Sequence, residues 1–224
     1  MKEIKDVVVL VQARMGSQRT PRKMLKPVHG TNLFEICLKK LKHLKSVDQS
    51  QVYVSVYEQE LKDVANKVGI NVFDRSEASA NSEGTPMTEM YEWWDKLPFK
   101  YCVLVNGCAP FLEIETIDNF VEAYCKTSSD GMFGVIEKKN YFWNDQHEFL
   151  TPLTEAVMNT KLAKPVYEAA HCLYAGRLDK IGESIWMGDF NKPGDIELFP
   201  MPENECFDID YPWQFEMFEK LYEK

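Results

Sequence analysis

Apolar positions along the chain fall into two alternating rhythms. Residues 7–11 (Val-Val-Val-Leu-Val) form an uninterrupted, mostly β-branched run, the pattern of a strand buried on both faces of a parallel sheet. Leu33, Ile36, Cys37, Leu38, Leu41 and Leu44 then recur at helical spacing, with Thr31 or Asn32 placed to cap the helix. Residues 52–56 read as a second strand, 58–68 as its helix ended by Gly69, and 72–73 as a short strand. The Ser-, Ala-, Gly- and Asn-rich stretch 74–86 reads as a loop. A helix over 87–97 precedes a strand over 101–105, then 114–126 is helical and 132–136 extended. Further strands are predicted over 172–175, 196–199 and 206–209, with helices near 178–184 and over 212–222, the last opening on Pro212.

Strands alternating with helices of this length make βαβ units. The pattern therefore predicts an α/β fold, a single domain over residues 1–224, with a mainly parallel central sheet and helices on both faces. Such sheets bind ligands beyond the carboxyl ends of their strands, so the loops after Val11, Phe73 and Val105 should converge on one cleft. Between 137 and 169 the rhythm breaks into aromatics, charges and prolines, as expected of a small inserted arm, a lid or an oligomer contact.

Composition narrows the functional classes. The chain is 45% apolar, enough for a real core, yet no apolar run approaches the roughly 18–20 residues that span a bilayer. Residues 1–6 are mixed in charge and do not read as a secretory leader, which predicts a cytoplasmic protein. Six cysteines (37, 102, 108, 125, 172 and 206) include no C-x-x-C pair, and four histidines (29, 43, 147 and 171) show no ligand spacing. Reduced thiols are expected, and a zinc site is not. The net charge of −9, from 35 acids and 26 bases, excludes nucleic acid and anionic membrane as partners unless the bases cluster.

They cluster once. Between Val11 and Glu35 stand Arg14, Arg19, Arg22, Lys23 and Lys26, with no acid among them. A loop after the first parallel strand, in which Gly16 and Ser17 offer backbone N–H groups, is suited to cradle phosphate. Arginine brings bidentate contacts and lysine a mobile point charge. The loop is neither G-x-x-x-x-G-K nor G-x-G-x-x-G, which argues against ATPase and hydride-transfer chemistry.

A second motif is Phe207-Asp208-Ile209-Asp210. Residues two apart on a strand share a face, so both carboxylates would project together. Close carboxylates call for a cation, and Mg²⁺, which takes one or two protein carboxylates plus phosphate oxygens, meets that demand. Asp210 as a plain helix cap is the alternative. Trp93 and Trp94 read as packing residues, Tyr141, Phe142 and Trp143 as a contact surface, and His147 and His171 as lone histidines without a catalytic partner.

The basic loop 13–23, the Asp-x-Asp pair before a C-terminal helix, and their separation resemble the CMP-sialic acid synthetase family, with its spore-coat-type relatives, over almost the whole chain. The resemblance implies a Rossmann-like nucleotide-sugar transferase fold and a Mg²⁺-dependent enzyme that moves CMP from CTP to an acidic, sialic-type sugar for surface glycan synthesis. It implies catalytic roles for Arg14, Lys23 and Asp210, with Asp208 or Asp210 also acting as base through a metal-bound water. Nucleotide contacts would come from Ala13, Arg14, Gly16, Ser17, Lys23, Arg75 and Ser82, and Asn106 would line the sugar side. Asp208 and Asp210 would hold the metal, and the segment 137–169 would make a homodimer.

Two positions depart from the family's pattern. Met24 stands where sialic-acid enzymes carry asparagine after the loop lysine. The stretch 166–171 shows Glu168 where those enzymes place a carboxylate-binding arginine. A glutamate in the acceptor site repels a carboxylate and attracts an amine. The sequence therefore also admits a CTP-dependent transferase with another acceptor (an amine-bearing sugar acid, a phosphonate or a phosphorylated small molecule), and, in another class, a non-catalytic nucleotide-binding subunit.

Overall fold

The computed structural model describes residues 1–81, 84–151 and 159–222. The valine-rich run becomes β1 (Val7–Gln12), an interior strand, third in a seven-stranded sheet of order β3-β2-β1-β4-β6-β5-β7. Its partners are β2 (Val52–Val56) and β4 (Tyr101–Val105), both parallel to it, and β3 (Asn71–Asp74) extends that side. On the other side β6 (Val166–Arg177) runs antiparallel to β4 and to β5 (Gly131–Lys138), and β7 (Ile196–Pro200) lies parallel to β5. The sheet is thus mixed, with one reversed strand.

Residues Val7 to Val11 are all fully buried, because alternate side chains of β1 serve two layers. Val7, Val9 and Val11 pack with α1 (Leu33–Leu41), α2 (Gln59–Val68) and α5 (Ile114–Lys126). Val8 and Leu10 meet Trp93, Leu178, Ile181 and Trp186 on the opposite face. Asn32 caps α1 by accepting from the Glu35 N–H at 2.9 Å, and Gly69 ends α2 in the left-handed region at φ +80°.

Several elements are shorter than periodicity predicts. The helix expected over 87–97 is only α4 (Met87–Met90), followed by turns. At its end the Met90 carbonyl accepts from Ser79 Oγ at 2.9 Å and Gln12 Nε2 at 3.3 Å instead of from the next turn, and beyond it Trp93 packs edge-on against Trp186 and donates from Nε1 to Gln12 Oε1 at 2.8 Å. The loop after β3 contains a single turn of helix, α3 (Glu77–Ala80), capped by Ser76. The helix expected near 178–184 is one 3-10 turn, Ile181–Glu183. Long helices therefore cover one face, and α4 with irregular turns covers the other.

The largest correction concerns residues 206–209, which join no strand. Their bonds go elsewhere: the Ile209 N–H donates to Cys108 O at 3.0 Å, and Lys23 Nζ donates to Ile209 O at 2.6 Å. The segment is held down by α6 (Pro212–Leu221), whose Phe215 and Phe218 join Ile209, Val28, Leu33 and Ile36 in a small separate core. Close backbone approach fixes the far end of the sheet: a Cβ on Gly176 would lie 1.6 Å from Trp186 O.

β6 is interrupted. Phe133 pairs with Tyr174 but Val135 with Ala169, so two steps on β5 face five on β6. Inside this bulge His171 adopts φ +55°, a strained value for a histidine. Asn106 secures it, with its N–H donating to Cys172 O at 2.9 Å and its Nδ2 to His171 O at 2.8 Å.

Candidate active site

The loops after β1 and β4 meet the 206–210 segment at the carboxyl ends of the parallel strands, around a cleft of about 490 Å³. The β1 loop is shaped by its own bonds. Met15 N–H donates to Glu58 Oε1 at 2.7 Å, Ser17 N–H to Met15 O at 2.9 Å, and Thr20 Oγ1 to Asp210 O at 2.9 Å. Arg22 turns at φ +56° into the 3-10 turn Lys23–Leu25. That turn points Lys23 at the opposite wall of the cleft.

Ala13, Arg14, Ser17, Lys23 and Asp210 all line this cleft. Lys23 Nζ bridges Ile209 O at 2.6 Å and Asp210 Oδ1 at 3.0 Å. Burial alone would lower the Lys23 ammonium, but its neighbours Cys108 and Asp210 outweigh it and hold it above its ordinary value. Asp208 sits behind, half-buried, with an Oδ1 that has no hydrogen-bond partner. Burial first, and then the Asp210 charge, push its carboxyl above the usual range, against the pull of Lys23, Asn106 and His171.

Arg75 lies in an adjoining recess of about 110 Å³ that shares Gln12, Ala13 and Arg14 with the main cleft. It is 3% exposed, donates from Nη2 to Ala13 O at 2.7 Å, and leaves Nε unpartnered. Burial lowers the guanidinium to about 10, with Glu58 opposing. Arg14 closes the same recess by donating to Ala80 O at 3.3 Å. Its walls combine the guanidinium groups of Arg14 and Arg75 with Gln12, Ala13, Ser79, Ala80 and Met90, so hydrogen-bonding groups stand beside one apolar side chain.

Other expected residues lie elsewhere. Gly16 is exposed, and a Cβ there would meet nothing within 4 Å. Ser82 falls outside the described residues. Asn106 supports the His171 bulge through its Nδ2, accepts from the Cys108 N–H at 2.9 Å, and favours the charged form of Asp208. Glu168 does not line either cavity: it stands on the β6 arm and pairs with Lys138 at 3.6 Å, which also binds Glu203. His171 has a partner that sequence did not reveal, its Nδ1 lying 2.8 Å from Tyr174 Oη.

Sequence reasoning missed the specific place of Arg19, whose guanidinium pairs with Asp210 Oδ2 at 2.7 Å and lies over the Tyr211 ring. Its only signal was membership in the basic cluster. Gln12, shared by both cavities, carried no signal beyond its position at the end of β1. Met24, 3% exposed, and Cys108 form a sulfur-lined wall with Sδ and Sγ 3.6 Å apart. Burial pushes the Cys108 thiol up to about 11, which disfavours the thiolate. All six cysteines are free thiols, and Trp93 is fully buried, as its packing role requires.

Two carboxylates, one carrying an orphaned buried oxygen, suit a hard cation that completes its shell from water and substrate phosphate. No cluster of three or more His, Cys, Asp or Glu able to cage a metal by itself occurs among the described residues. Phosphate-seeking cations, a small recess beside them and an acidic pair on the loop segment 206–210, all at one end of a Rossmann-like sheet, define the class: a nucleotidyltransferase fold. The sequence matches the cytidylyltransferase family profile over residues 8–181, and the chain belongs to that family.

Curated relatives include the spore coat polysaccharide biosynthesis protein SpsF of Bacillus subtilis, 25% identical over 131 residues (56% of this chain, 52% of that protein). The 3-deoxy-manno-octulosonate cytidylyltransferase of Rickettsia bellii is 28% identical over 199 residues (87% and 68%). An uncharacterized protein of Methanocaldococcus jannaschii is 27% identical over 169 residues (74% and 64%). The chain thus spans between about half and two thirds of the length of these relatives. Among solved structures, CMP:2-keto-3-deoxy-manno-octonic acid synthetase complexed with CTP superposes with a TM-score of 0.69 at 14% identity, covering 97% of this chain and 98% of that one. The 4-diphosphocytidyl-2C-methyl-D-erythritol synthase of Anaerococcus prevotii gives 0.67 at 14% identity, covering 97% and 96%.

Proposed function

We propose that the protein transfers CMP from CTP to the hydroxyl of an acidic, ulosonic- or sialic-type sugar with release of pyrophosphate, for surface glycan synthesis. The observation that carries this reading is the meeting of Lys23 and Arg19 with Asp210 in one cleft, beside the Arg75 recess. Cytosine would occupy the recess, and the triphosphate would lie along Arg14, Ser17 and Lys23. The acceptor hydroxyl would attack the α-phosphorus in line from the Asn106 side. Catalysis then consists of positioning and of balancing the charge that builds on the phosphate. Asp208 and Asp210 are the residues that would hold Mg²⁺, which when bound supplies further neutralisation of that charge.

The cognates named for the relatives support a sugar-acid acceptor. The Met24–Cys108 wall favours an acceptor that presents an apolar edge there rather than a hydroxyl, which keeps the wider acceptor classes in the test. Two copies are proposed to pair through the arm, whose Trp143, Phe149 and Tyr141 cluster leaves Trp143 57% exposed. No helix of the described residues is long and apolar enough to cross a membrane, in keeping with the proposed cytoplasmic location.

The test is pyrophosphate release from CTP and Mg²⁺ across a panel of sugar acids and the wider acceptor classes. An acceptor-dependent burst that disappears in Asp210→Asn supports the reading. CTP binding without turnover on any acceptor would instead favour a non-catalytic subunit.

A further inference from the structure

The carboxylate proposed for the metal is already occupied. Asp210 Oδ1 faces Lys23 Nζ at 3.0 Å and Oδ2 faces Arg19 at 2.7 Å, whereas Asp208 Oδ1 has no partner. The two cations are not equivalent. Lys23 is 11% exposed and also tied to Ile209 O at 2.6 Å, so it belongs to the cleft wall. Arg19 is 53% exposed, rests over the Tyr211 ring at 5.1 Å, and lines the same cleft.

We propose that Arg19 is a nucleotide-responsive gate on Asp210: without nucleotide it covers Oδ2 and opposes cation binding, and an arriving polyphosphate draws it away and frees the carboxylate. The inference rests on the reading of Asp208 and Asp210 as metal ligands. Its physical basis is competition. A guanidinium and a divalent cation seek the same oxygen and repel each other at that distance, while phosphate offers the guanidinium a planar, bidentate alternative. Half of the Arg19 side chain is in solvent, so the exchange disturbs no packed core. Metal and nucleotide then bind cooperatively, because each is favoured by the rearrangement that the other requires.

The experiment titrates Mn²⁺, followed by the loss of its free electron paramagnetic resonance signal, into nucleotide-free wild type, Arg19→Ala, Arg19→Lys, and the double variant Arg19→Ala/Asp210→Asn. A parallel titration measures CTP binding in EDTA. Arg19→Ala should bind Mn²⁺ about two- to tenfold more tightly than wild type, the scale of a lost partly exposed ion pair and its repulsion. Arg19→Lys should stay near wild type, and metal-free CTP binding should weaken in Arg19→Ala. Equal Mn²⁺ affinity in wild type and Arg19→Ala, with loss in the double variant, overturns the gate and leaves the metal reading standing. Mn²⁺ binding that survives the double variant, or that no variant shows, defeats the metal reading and the gate with it. Tighter Mn²⁺ with unchanged CTP affinity also overturns the gate, since Arg19 would then not move to phosphate.

Discussion

Lys23→Ala separates two contributions of one side chain. In the structure its Nζ donates to Ile209 O at 2.6 Å and to Asp210 Oδ1 at 3.0 Å from a position only 11% exposed. Asp210 keeps Arg19 after the substitution, but the Ile209 carbonyl loses the donor that ties the 206–210 segment to the β1 loop. A hydrogen bond from a charged donor contributes about 1.5–3 kcal/mol. At about 2–4 °C per kcal/mol for a chain of this size, the nucleotide-free protein should melt about 3–12 °C below wild type. The same charge faces the cleft, so CTP affinity measured calorimetrically in EDTA should fall by about tenfold or more. Lys23→Arg, which keeps the charge, should recover part of the CTP affinity. A melting point within about 1 °C of wild type would refute the anchoring argument. Unchanged metal-free CTP affinity would refute the phosphate contact, whatever happens to stability.

Other outcomes follow from the same geometry. Asp208→Asn removes a charge whose buried Oδ1 has no partner, so metal-free melting should rise by about 2–8 °C while pyrophosphate release is lost, and an unchanged or lower melt would mean that the oxygen is satisfied. Gly176→Ala places a Cβ 1.6 Å from the Trp186 carbonyl and should yield insoluble or grossly destabilised protein. Gly107→Ala crowds the flexible Met24 Cε at 2.9 Å, with Val11 Cγ1 next at 3.4 Å, and should melt within about 4 °C of wild type, roughly 1 kcal/mol. Asp195 is held below the usual carboxylate range by its bond to Lys192 and by the Asp189 N–H. A depressed carboxyl stabilises the fold above its unfolded pKa and loses that effect as pH falls through its folded value. Asp195→Asn should therefore lower the melt by a few degrees at pH 7, about 1 kcal/mol, with the difference vanishing at strongly acidic pH.

Much of the scaffold was legible because burial is periodic. The run of residues 7–11 could serve only a strand covered twice, and α5 occupies the predicted residues 114–126 because its apolar stripe is unbroken. Segments whose shape is set by one tertiary contact were not legible. Residues 206–210 carry alternating apolar and acidic side chains, yet the backbone of Ile209 is held by Cys108 O and Lys23 Nζ and the Asp210 carbonyl by Thr20 Oγ1, all remote in sequence. The helix expected over 87–97 stops at Met90, whose carbonyl is taken by Ser79 and Gln12. The same division holds in the site. A cluster of cations without acids is visible in one dimension, so Arg14 and Lys23 could be singled out, whereas the pairing of Arg19 with Asp210 and of His171 with Tyr174 depends on how distant loops meet. Glu168 was placed near the acceptor by its sequence position relative to residues 172–175. The three-residue excess of the bulge carries it instead along the arm toward Lys138.

That bulge has a consequence for how the protein can vary. In an uninterrupted strand, inserting one residue reverses every side chain beyond it, so length is frozen by the core it faces. In β6 the pairing restarts at Ala169, while Asn106 fixes the His171 and Cys172 carbonyls from outside the ladder. The arm is therefore in register with β5 alone and independent of the β4 side. Insertions and deletions on the arm can accumulate without turning Leu173 or Ala175 out of the core. Lineages can thus remodel what the arm meets while the nucleotide cleft stays the same.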